Sequence, residues 1–238
     1  MRKEQDTLFR LRNPGRNKRA KLSRLISGET PAEKERRPEI QPNTCFMFGH
    51  YYYERCMDKA PLEWLALRRE GNRVLAVTRY AIDYKRYNDR DIAGWRDCSL
   101  RRWLNSDFIA MTFSDTEAKM LLETHCPGTE NPGTWDPERD ATEDRVFLMS
   151  EDEARNWFRG HAVRECFATP YAMFKSKFAS HGFPQVLDVS ERKCLWLLRQ
   201  TRANSCLMAK SAPGKVIVES LERSDYSSFV RPAMWIHL

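Results

Sequence analysis

The sequence predicts one mixed α+β domain over residues 44–238, preceded by a flexible basic arm and linker over residues 1–43. The predicted order is a strand, a hairpin, two helices, a loop, a strand, helices and then strands. It lacks the regular strand–helix alternation of a doubly wound sheet. The domain begins with a predicted strand at 45–49 and ends with an apolar segment at 230–238. We therefore expect the two terminal strands to pair and close the domain.

A hairpin is the strongest strand signal in the domain. The apolar runs 62–67 and 74–77 flank Gly71 and Asn72, and two apolar runs around a Gly-Asn turn are typical of a β-hairpin. Near the other end, the apolar run 194–199 predicts a buried strand. Further strands are predicted at 145–149, 207–210 and 215–219.

Short helices are predicted from their capping residues. Residues 114–117 (S-D-T-E) and 150–153 (S-E-D-E) have the capping-box pattern, in which a serine and a glutamate three residues later bond each other's backbone. The first box predicts a helix through Leu122. Ser99 is a plausible N-cap for a helix over residues 100–104. Another short helix is predicted at 168–178, and a proline- and glycine-rich loop at 125–143.

The arm carries the net charge of the whole chain. Residues 1–24 contain nine Lys or Arg and two acidic residues, which gives +7, the formal net charge of all 238 residues. Residues 25–238 therefore sum to zero. Leu22, Leu25 and Ile26 predict a short basic amphipathic helix ending near Gly28, which suits nucleic acid or an acidic partner. A solvated tail is the alternative interpretation. The candidate contact residues are Arg12, Arg16, Lys18, Arg19, Lys21 and Arg24.

Composition argues against several functional classes. No apolar run approaches the ~18 residues of a membrane span, and no apolar stretch follows the N-terminus as in a secretory signal. We therefore expect a cytoplasmic protein with reduced cysteines. The seven cysteines form no C-x-x-C pair, and the five histidines are widely spaced. No catalytic motif is present, so we predict no metal and no cofactor, and favour a non-enzymatic role.

The domain resembles an uncharacterised family of bacterial and phage proteins through seven blocks in the family's order. Any one block alone would be weak, but the ordered set is specific. The blocks are F-G-H-Y at 48–51, L-E-W-L-A-L at 62–67, L-R-R-W-L-N at 100–105 with Phe108, T-F-S at 112–114 with Glu117, D-R-V-F-L-M-S at 144–150 with Glu153, W-L-L-R-Q at 196–200 and V-R-P-A-M-W-I at 230–236.

That family is similar to the C-type-lectin-like folds. Those folds include formylglycine-generating enzymes and the variable proteins of diversity-generating retroelements, whose C-terminal segment is rewritten by mutagenic reverse transcription. The resemblance implies paired termini and a ligand face built from the C-terminal segment. The chain departs from the family pattern at Leu195, Gln200, Thr201, Arg202 and Phe229. Phe229 replaces a glycine and cannot take a positive φ cheaply, so the turn there must be rebuilt.

The C-terminal third provides two sets of candidate site residues. The first set consists of structural anchors on either side of a polar stretch: Trp196, Arg199, Arg231, Pro232 and Trp235. The second set is the polar stretch itself, whose mixed composition with one tyrosine suits adaptable recognition or an ordinary solvated loop. Its candidate ligand-binding residues are Thr201, Arg202, Asn204, Ser205, Lys210, Glu219, Glu222, Ser224, Asp225, Tyr226 and Ser227.

The resulting functional hypothesis is a non-enzymatic module that binds an unidentified protein or other ligand through residues 201–228, as in a retroelement-diversified variable protein. One alternative is nucleic-acid association through the arm, in a phage or mobile-element complex or in a phage particle. A second alternative is an oxidase of the formylglycine-generating type. That chemistry needs a cysteine pair, and Cys194 and Cys206 are the only cysteines in the C-terminal region.

Overall fold

The computed structural model describes residues 20–21, 40–89, 94–128, 138, 140–158, 164–178, 186–188, 191–202, 205–212, 215–222 and 227–238. Over these residues the protein is a mixed α+β structure with a curled sheet and more strand than helix, which confirms the predicted class. The described strands are β1 (Ala20–Lys21), β2 (Cys45–Tyr52), β3 (Lys59–Glu70), β4 (Arg73–Thr78), β5 (Asp83–Arg86), β6 (Leu121–Leu122), β7 (Thr124–Cys126), β8 (Thr142–Asp144), β9 (Val186–Asp188), β10 (Lys193–Cys194), β11 (Trp196–Arg202), β12 (Ser205–Ala212), β13 (Lys215–Glu222), β14 (Ser227–Val230) and β15 (Ala233–His237).

The larger sheet has the order β1-β2-β3-β4-β15-β6. The predicted hairpin is confirmed as β3 and β4, which pair from Trp64 opposite Thr78 to Glu70 opposite Arg73. Gly71 has φ +58° in the two-residue turn, a left-handed conformation that glycine adopts without steric cost. Most of β4 is buried, as expected for a strand in the middle of a sheet.

The predicted pairing of the terminal strands is wrong. β2 and β15 lie in the same sheet, but β3 and β4 lie between them. β2 pairs with β3, whereas β15 pairs with β4, with Ala233 opposite Val77 and Ile236 opposite Val74. The reason is local. β3 and β4 pair through their short turn, so the hairpin enters the sheet as a unit between β2 and β15. The termini are therefore joined through the hairpin.

The second sheet has the order β13-β12-β11-β14-β5. The predicted strands at 207–210 and 215–219 are found here and run longer, as β12 and β13. The strand predicted at 194–199 begins two residues later, as β11, because Cys194 belongs to β10, which pairs with β9 in a separate sheet. β12 and β13 form a continuous antiparallel hairpin, with Ser205 opposite Glu222 and Ala212 opposite Lys215. β13 is the last strand at one edge of this sheet.

The described α-helices are short: α1 (Ser99–Asn105), α2 (Asp107–Thr112), α3 (Asp115–Met120), α4 (Glu151–Asn156) and α5 (Pro170–Lys177). Both capping boxes are confirmed, at the starts of α3 and α4. The predicted N-cap of α1 is wrong by one residue. Cys98 has extended dihedrals and its Sγ accepts from the Arg101 N–H, so Ser99 becomes the first helical residue. The helix predicted through Leu122 ends at Met120, because Leu121–Leu122 form β6 beside β15.

The predicted strand at 145–149 is not a strand. Only Phe147 makes a bridge there, to Ala233. The backbone N–H groups of Arg145 and Val146 instead donate to the side-chain oxygen of Asn105, at 2.8 and 3.2 Å. An amide side chain therefore replaces the strand partner that this apolar run was expected to have.

Gly49 lies where β2 meets the helical layer. It has φ +71°, and its N–H donates to Oε1 of the buried Glu117 at 3.1 Å. A Cβ at this position would lie 2.7 Å from the ring of Phe113 and 2.9 Å from Cγ2 of Thr112. The close approach of β2 to the end of α2 therefore requires glycine.

We predict that Gly49→Ala lowers the free energy of unfolding by roughly 2–5 kcal/mol, because left-handed strain and overpacking act together. Gly71→Ala is the matched control, since it has φ +58° but nothing within 4 Å of the added methyl group. The control should cost only about 1–2 kcal/mol. Urea unfolding of both variants measures the difference, and equal losses would contradict the packing argument.

Candidate functional site

Arg199 fastens β11 to the start of α4. Its side chain is buried and pairs with Glu153, with Nη2 2.8 Å from Oε1 of the carboxylate. Its Nη1 donates to the carbonyl of Leu148 at 3.1 Å. Burial opposes the positive charge, but the hydrogen bond and charge of Glu153 raise the pKa of Arg199 above its ordinary value. Glu153 also accepts from the Ser150 N–H, so one carboxylate serves both the helix cap and the ion pair.

Arg231 lies between two aromatic rings in the interior. Its guanidinium carbon is 5.0 Å from the ring centroid of Phe158 and 5.1 Å from that of Trp196. Its Nε donates to the carbonyl of Thr78 at 3.1 Å, and its Nη1 donates to the carbonyl of Arg164 at 3.3 Å. Burial lowers the pKa of Arg231. The rings and carbonyls partly replace the water that the cation has lost.

The remaining predicted anchors lie beside Arg231 in the chain. Pro232 is buried, and its carbonyl accepts from the Thr78 N–H at 2.9 Å. Trp235 is half-buried in β15, with the guanidinium of Arg73 5.6 Å from its ring centroid. The structure therefore places all five predicted anchors in or against the core.

The described ligand-binding candidates lie on four strands: Thr201 and Arg202 at the end of β11, Ser205 and Lys210 in β12, Glu219 and Glu222 in β13, and Ser227 at the start of β14. Strand register places Arg202 opposite Ser205, Glu219 opposite Met208 and Lys210 opposite Ile217. Thr201 and Ser227 are half-buried at the two ends of the segment. Asn204, Ser224, Asp225 and Tyr226 lie outside the described residues, as do the side-chain surroundings of Arg202, Ser205, Lys210, Glu219 and Glu222.

The hairpin also contributes to the core. Leu207, Met208 and Ala209 of β12 are buried, and so is Val216 of β13. Lys215 and Ser220 of β13 are exposed. Thr201 and Ser227, the predicted ligand-binding residues whose burial is described, are not in this buried set. The buried residues hold the hairpin in place, and substitution is expected to be tolerated elsewhere.

A tyrosine-lined cavity of about 290 Å³ was missed by the sequence reasoning. Its walls include Tyr51, Tyr52, Tyr53 and Tyr80. The hydroxyl of Tyr51 donates to Oδ2 of the buried Asp83 at 2.8 Å, and burial followed by the charge of Asp83 raises the pKa of Tyr51. The run of three tyrosines in the sequence was the available signal. That these three tyrosines meet Tyr80 at one cavity is a result of tertiary packing, which the sequence does not show.

The cysteine pairing expected for the oxidase alternative is not the one observed. Cys194 lies next to Cys166, whose carbonyl accepts from the Cys194 N–H at 3.0 Å. Cys206 lies in β12 opposite Thr201. The structure thus brings together two cysteines that are far apart in sequence.

Other features expected from the sequence lie at the edge of what is described. Of the predicted arm residues, Lys21 lies in β1, which pairs in parallel with β2 at Met47. The short helix predicted from Leu22, Leu25 and Ile26 lies outside the described residues. The other five predicted arm residues lie outside the described residues: Arg12, Arg16, Lys18, Arg19 and Arg24.

In the described part of the chain, no three His, Cys, Asp or Glu side chains form a cluster that could hold a metal ion. No helix within those residues is long and apolar enough to cross a membrane.

The chain belongs to the family described as a domain of unknown function, DUF6273, whose model matches residues 71–238. The match begins at the turn of the β3–β4 hairpin and includes α1 to α5 and the whole second sheet. The blocks at 48–51 and 62–67 precede it. No curated protein and no solved structure matches the chain.

We predict that Arg199→Met lowers the free energy of unfolding by about 3 kcal/mol, because the partly buried carboxylate of Glu153 is left without its cation. Adding Glu153→Gln should recover part of this loss, since glutamine keeps the capping pattern and removes the charge. Glu70→Gln is the control, because Glu70 pairs with Arg73 at an exposed site and should change stability by less than about 1 kcal/mol. Chemical denaturation of the four proteins tests this, and a harmless Arg199→Met would contradict it.

Proposed function

We propose that this protein is a non-enzymatic recognition module of C-type-lectin-like architecture, which binds a protein or other ligand through residues 201–228. The observation that carries the proposal is the position of this segment. It leaves the core after Arg199, forms a hairpin at the edge of the second sheet, and returns to the core before Arg231. A hairpin held at both ends can present side chains at low conformational cost.

The partners of the two arginines support this proposal. Arg199 binds Glu153 and the Leu148 carbonyl, and Arg231 binds the carbonyls of Thr78 and Arg164. All of these groups lie outside residues 201–228. The contacts that fix the ends of the segment therefore do not depend on which polar side chains the segment carries. Tolerance of this kind is what a recognition surface requires.

The finer proposal is that the segment belongs to a diversity-generating retroelement. It rests on the resemblance of the blocks at 196–200 and 230–236, which bracket the hairpin. The test is genomic. A neighbouring reverse-transcriptase gene and an imperfect repeat of this coding segment, differing at template adenines, would support diversification. Their absence would leave a binding domain with a fixed surface.

Photo-crosslinking tests whether the hairpin is the binding surface. We predict that a photoreactive amino acid at Lys215, which is exposed on β13, captures a discrete partner from extracts of the native cell. The same group at Arg102, which is exposed on α1, is the matched control and should not capture that partner. Replacing Lys210 and Glu219 with alanine should abolish the Lys215 product without changing the melting temperature appreciably. Equal capture from both positions, or none from Lys215, would reject the surface.

We propose nucleic-acid association through the arm as a second function, because the arm carries the whole formal net charge of the chain. Replacing Arg12, Arg16, Lys18, Arg19 and Arg24 with glutamine leaves β1 intact. This variant should lose binding to duplex DNA, and the slope of log affinity against log salt should fall by roughly 0.9 for each phosphate contact removed. The same number of Lys or Arg to Gln changes on the body (Arg55, Arg68, Arg96, Arg102, Lys119) is the control. An unchanged slope in the arm variant would reject the proposal.

A further inference from the structure

Cys166 and Cys194 face each other across a short antiparallel bridge. Phe167 pairs with Lys193, the Ala168 N–H donates to the Arg192 carbonyl at 2.8 Å, and the Cys194 N–H donates to the Cys166 carbonyl at 3.0 Å. This register places the two cysteines directly opposite each other. Cross-strand neighbours of this kind have Cα atoms about 5.5 Å apart, within the range that a disulfide can bridge.

The two thiols share a hydrogen bond in the interior. Both residues are 1% exposed. Burial alone would raise the pKa of Cys166, but the Cys194 hydrogen bond and the positive charge of Arg231 lower it to about 7. Burial and the hydrogen bond to Cys166 raise the pKa of Cys194. Cys166 is therefore the thiol of the pair that ionises first, which suits it as the nucleophile with Cys194 as its resolving partner.

The cysteines are buried, but residues next to them in the chain are partly exposed. The neighbouring residues Glu165 and Lys193 form an ion pair whose side chains are 23% and 25% exposed. A reagent of about the size of water can reach such a site through small local openings, whereas a bulky reagent cannot. Cys56 is exposed and serves as an internal reference for ordinary thiol reactivity.

We propose that Cys166 and Cys194 are a peroxide-reactive pair that closes reversibly to a disulfide. The Cys166 thiolate attacks one oxygen of hydrogen peroxide, so an S–O bond forms, the O–O bond breaks, and the released hydroxide takes a proton to become water. The Cys194 sulfur then attacks the sulfenic sulfur. The S–S bond forms, the S–O bond breaks, and hydroxide leaves as a second water with the proton from Cys194. Two electrons pass from the two sulfurs to the peroxide, and a dithiol reductant reverses the change.

The disulfide would join two parts of the chain that meet just before β11. Cys194 lies two residues before Trp196, which begins β11, and Cys166 lies between α4 and α5. The bond closes a loop between positions 28 apart in sequence. Such a cross-link stabilises the fold chiefly by restricting the unfolded chain.

Limited oxidation of the folded full-length protein with hydrogen peroxide tests the proposal. Peptide mapping without reductant should show a Cys166–Cys194 disulfide that a dithiol reverses, and the melting temperature should rise by roughly 5–10 °C. The rate of Cys166 loss should increase with pH through about 7 and level off above it, because the thiolate is the reacting form. A bulky maleimide should label Cys56 and leave the pair unlabelled.

Variants separate the two steps. Cys194→Ser should stop the reaction at a Cys166 sulfenic acid, which dimedone traps when the oxidised protein is unfolded in its presence, whereas Cys166→Ser should form neither species. Cys56→Ser should behave like the wild type. If a serine variant does not fold, mapping of the wild-type protein still decides the matter. Recovery of both residues as free thiols, their appearance as a disulfide only in denaturant, or a disulfide that does not raise the melting temperature would each overturn the proposal.

Discussion

The architecture of the C-terminal half depends on the burial of two guanidinium groups. An arginine cannot become neutral inside a protein, so its donors need acceptors wherever the chain takes it. Arg199 takes the carboxylate of Glu153 and the carbonyl of Leu148. Arg231 takes two backbone carbonyls and lies between Phe158 and Trp196. These requirements hold the loops before α4 and α5 against the strands that flank the hairpin.

Because of the two arginines, the stability of this half of the domain depends on a few distances between guanidinium groups and their acceptors. A core made of aliphatic side chains tolerates small displacements, whereas a buried ion pair that loses one partner is destabilised by several kcal/mol. Glu153 illustrates the dependence, because it bonds the N-terminus of α4 and Arg199 at the same time. Movement of the helix would therefore weaken the cap and the ion pair together. The proposed recognition segment starts two residues after Arg199, at Thr201, so its origin is well defined.

Local chemistry made part of this fold predictable. The Gly71-Asn72 turn and both capping boxes act within a few residues, and the structure has all three. Contacts between distant residues were not predictable in this way. The side chain of Asn105, about 40 positions away in sequence, accepts hydrogen bonds from the backbone N–H groups of Arg145 and Val146. The strand that the apolar pattern predicted there is therefore not formed.

In the candidate site, too, the residues themselves were predictable from the sequence but their tertiary contacts were not. The anchors were identified as large aromatic and cationic residues in an apolar context, and the structure places them in or against the core. Their partners were not foreseen, because a sequence does not show which carbonyl an arginine will reach. The Cys166–Cys194 contact and the convergence of Tyr51 with Tyr80 are also products of tertiary packing. Position in the C-terminal region of the sequence had paired Cys194 with Cys206 instead.

The edge position of β13 bears on how the proposed recognition segment would bind a partner. An unpaired edge strand rich in β-branched residues invites pairing with another chain, and proteins suppress this with charged residues or by covering the edge. Here β13 contains Lys215, Glu219 and Glu222, and Nη1 of Arg155 binds the carbonyl of Val216 at 2.6 Å. A partner strand would have to displace that arginine and approach the charged residues. Recognition through side chains therefore meets less resistance than strand addition, and it is also the mode in which changes of side chain alter specificity.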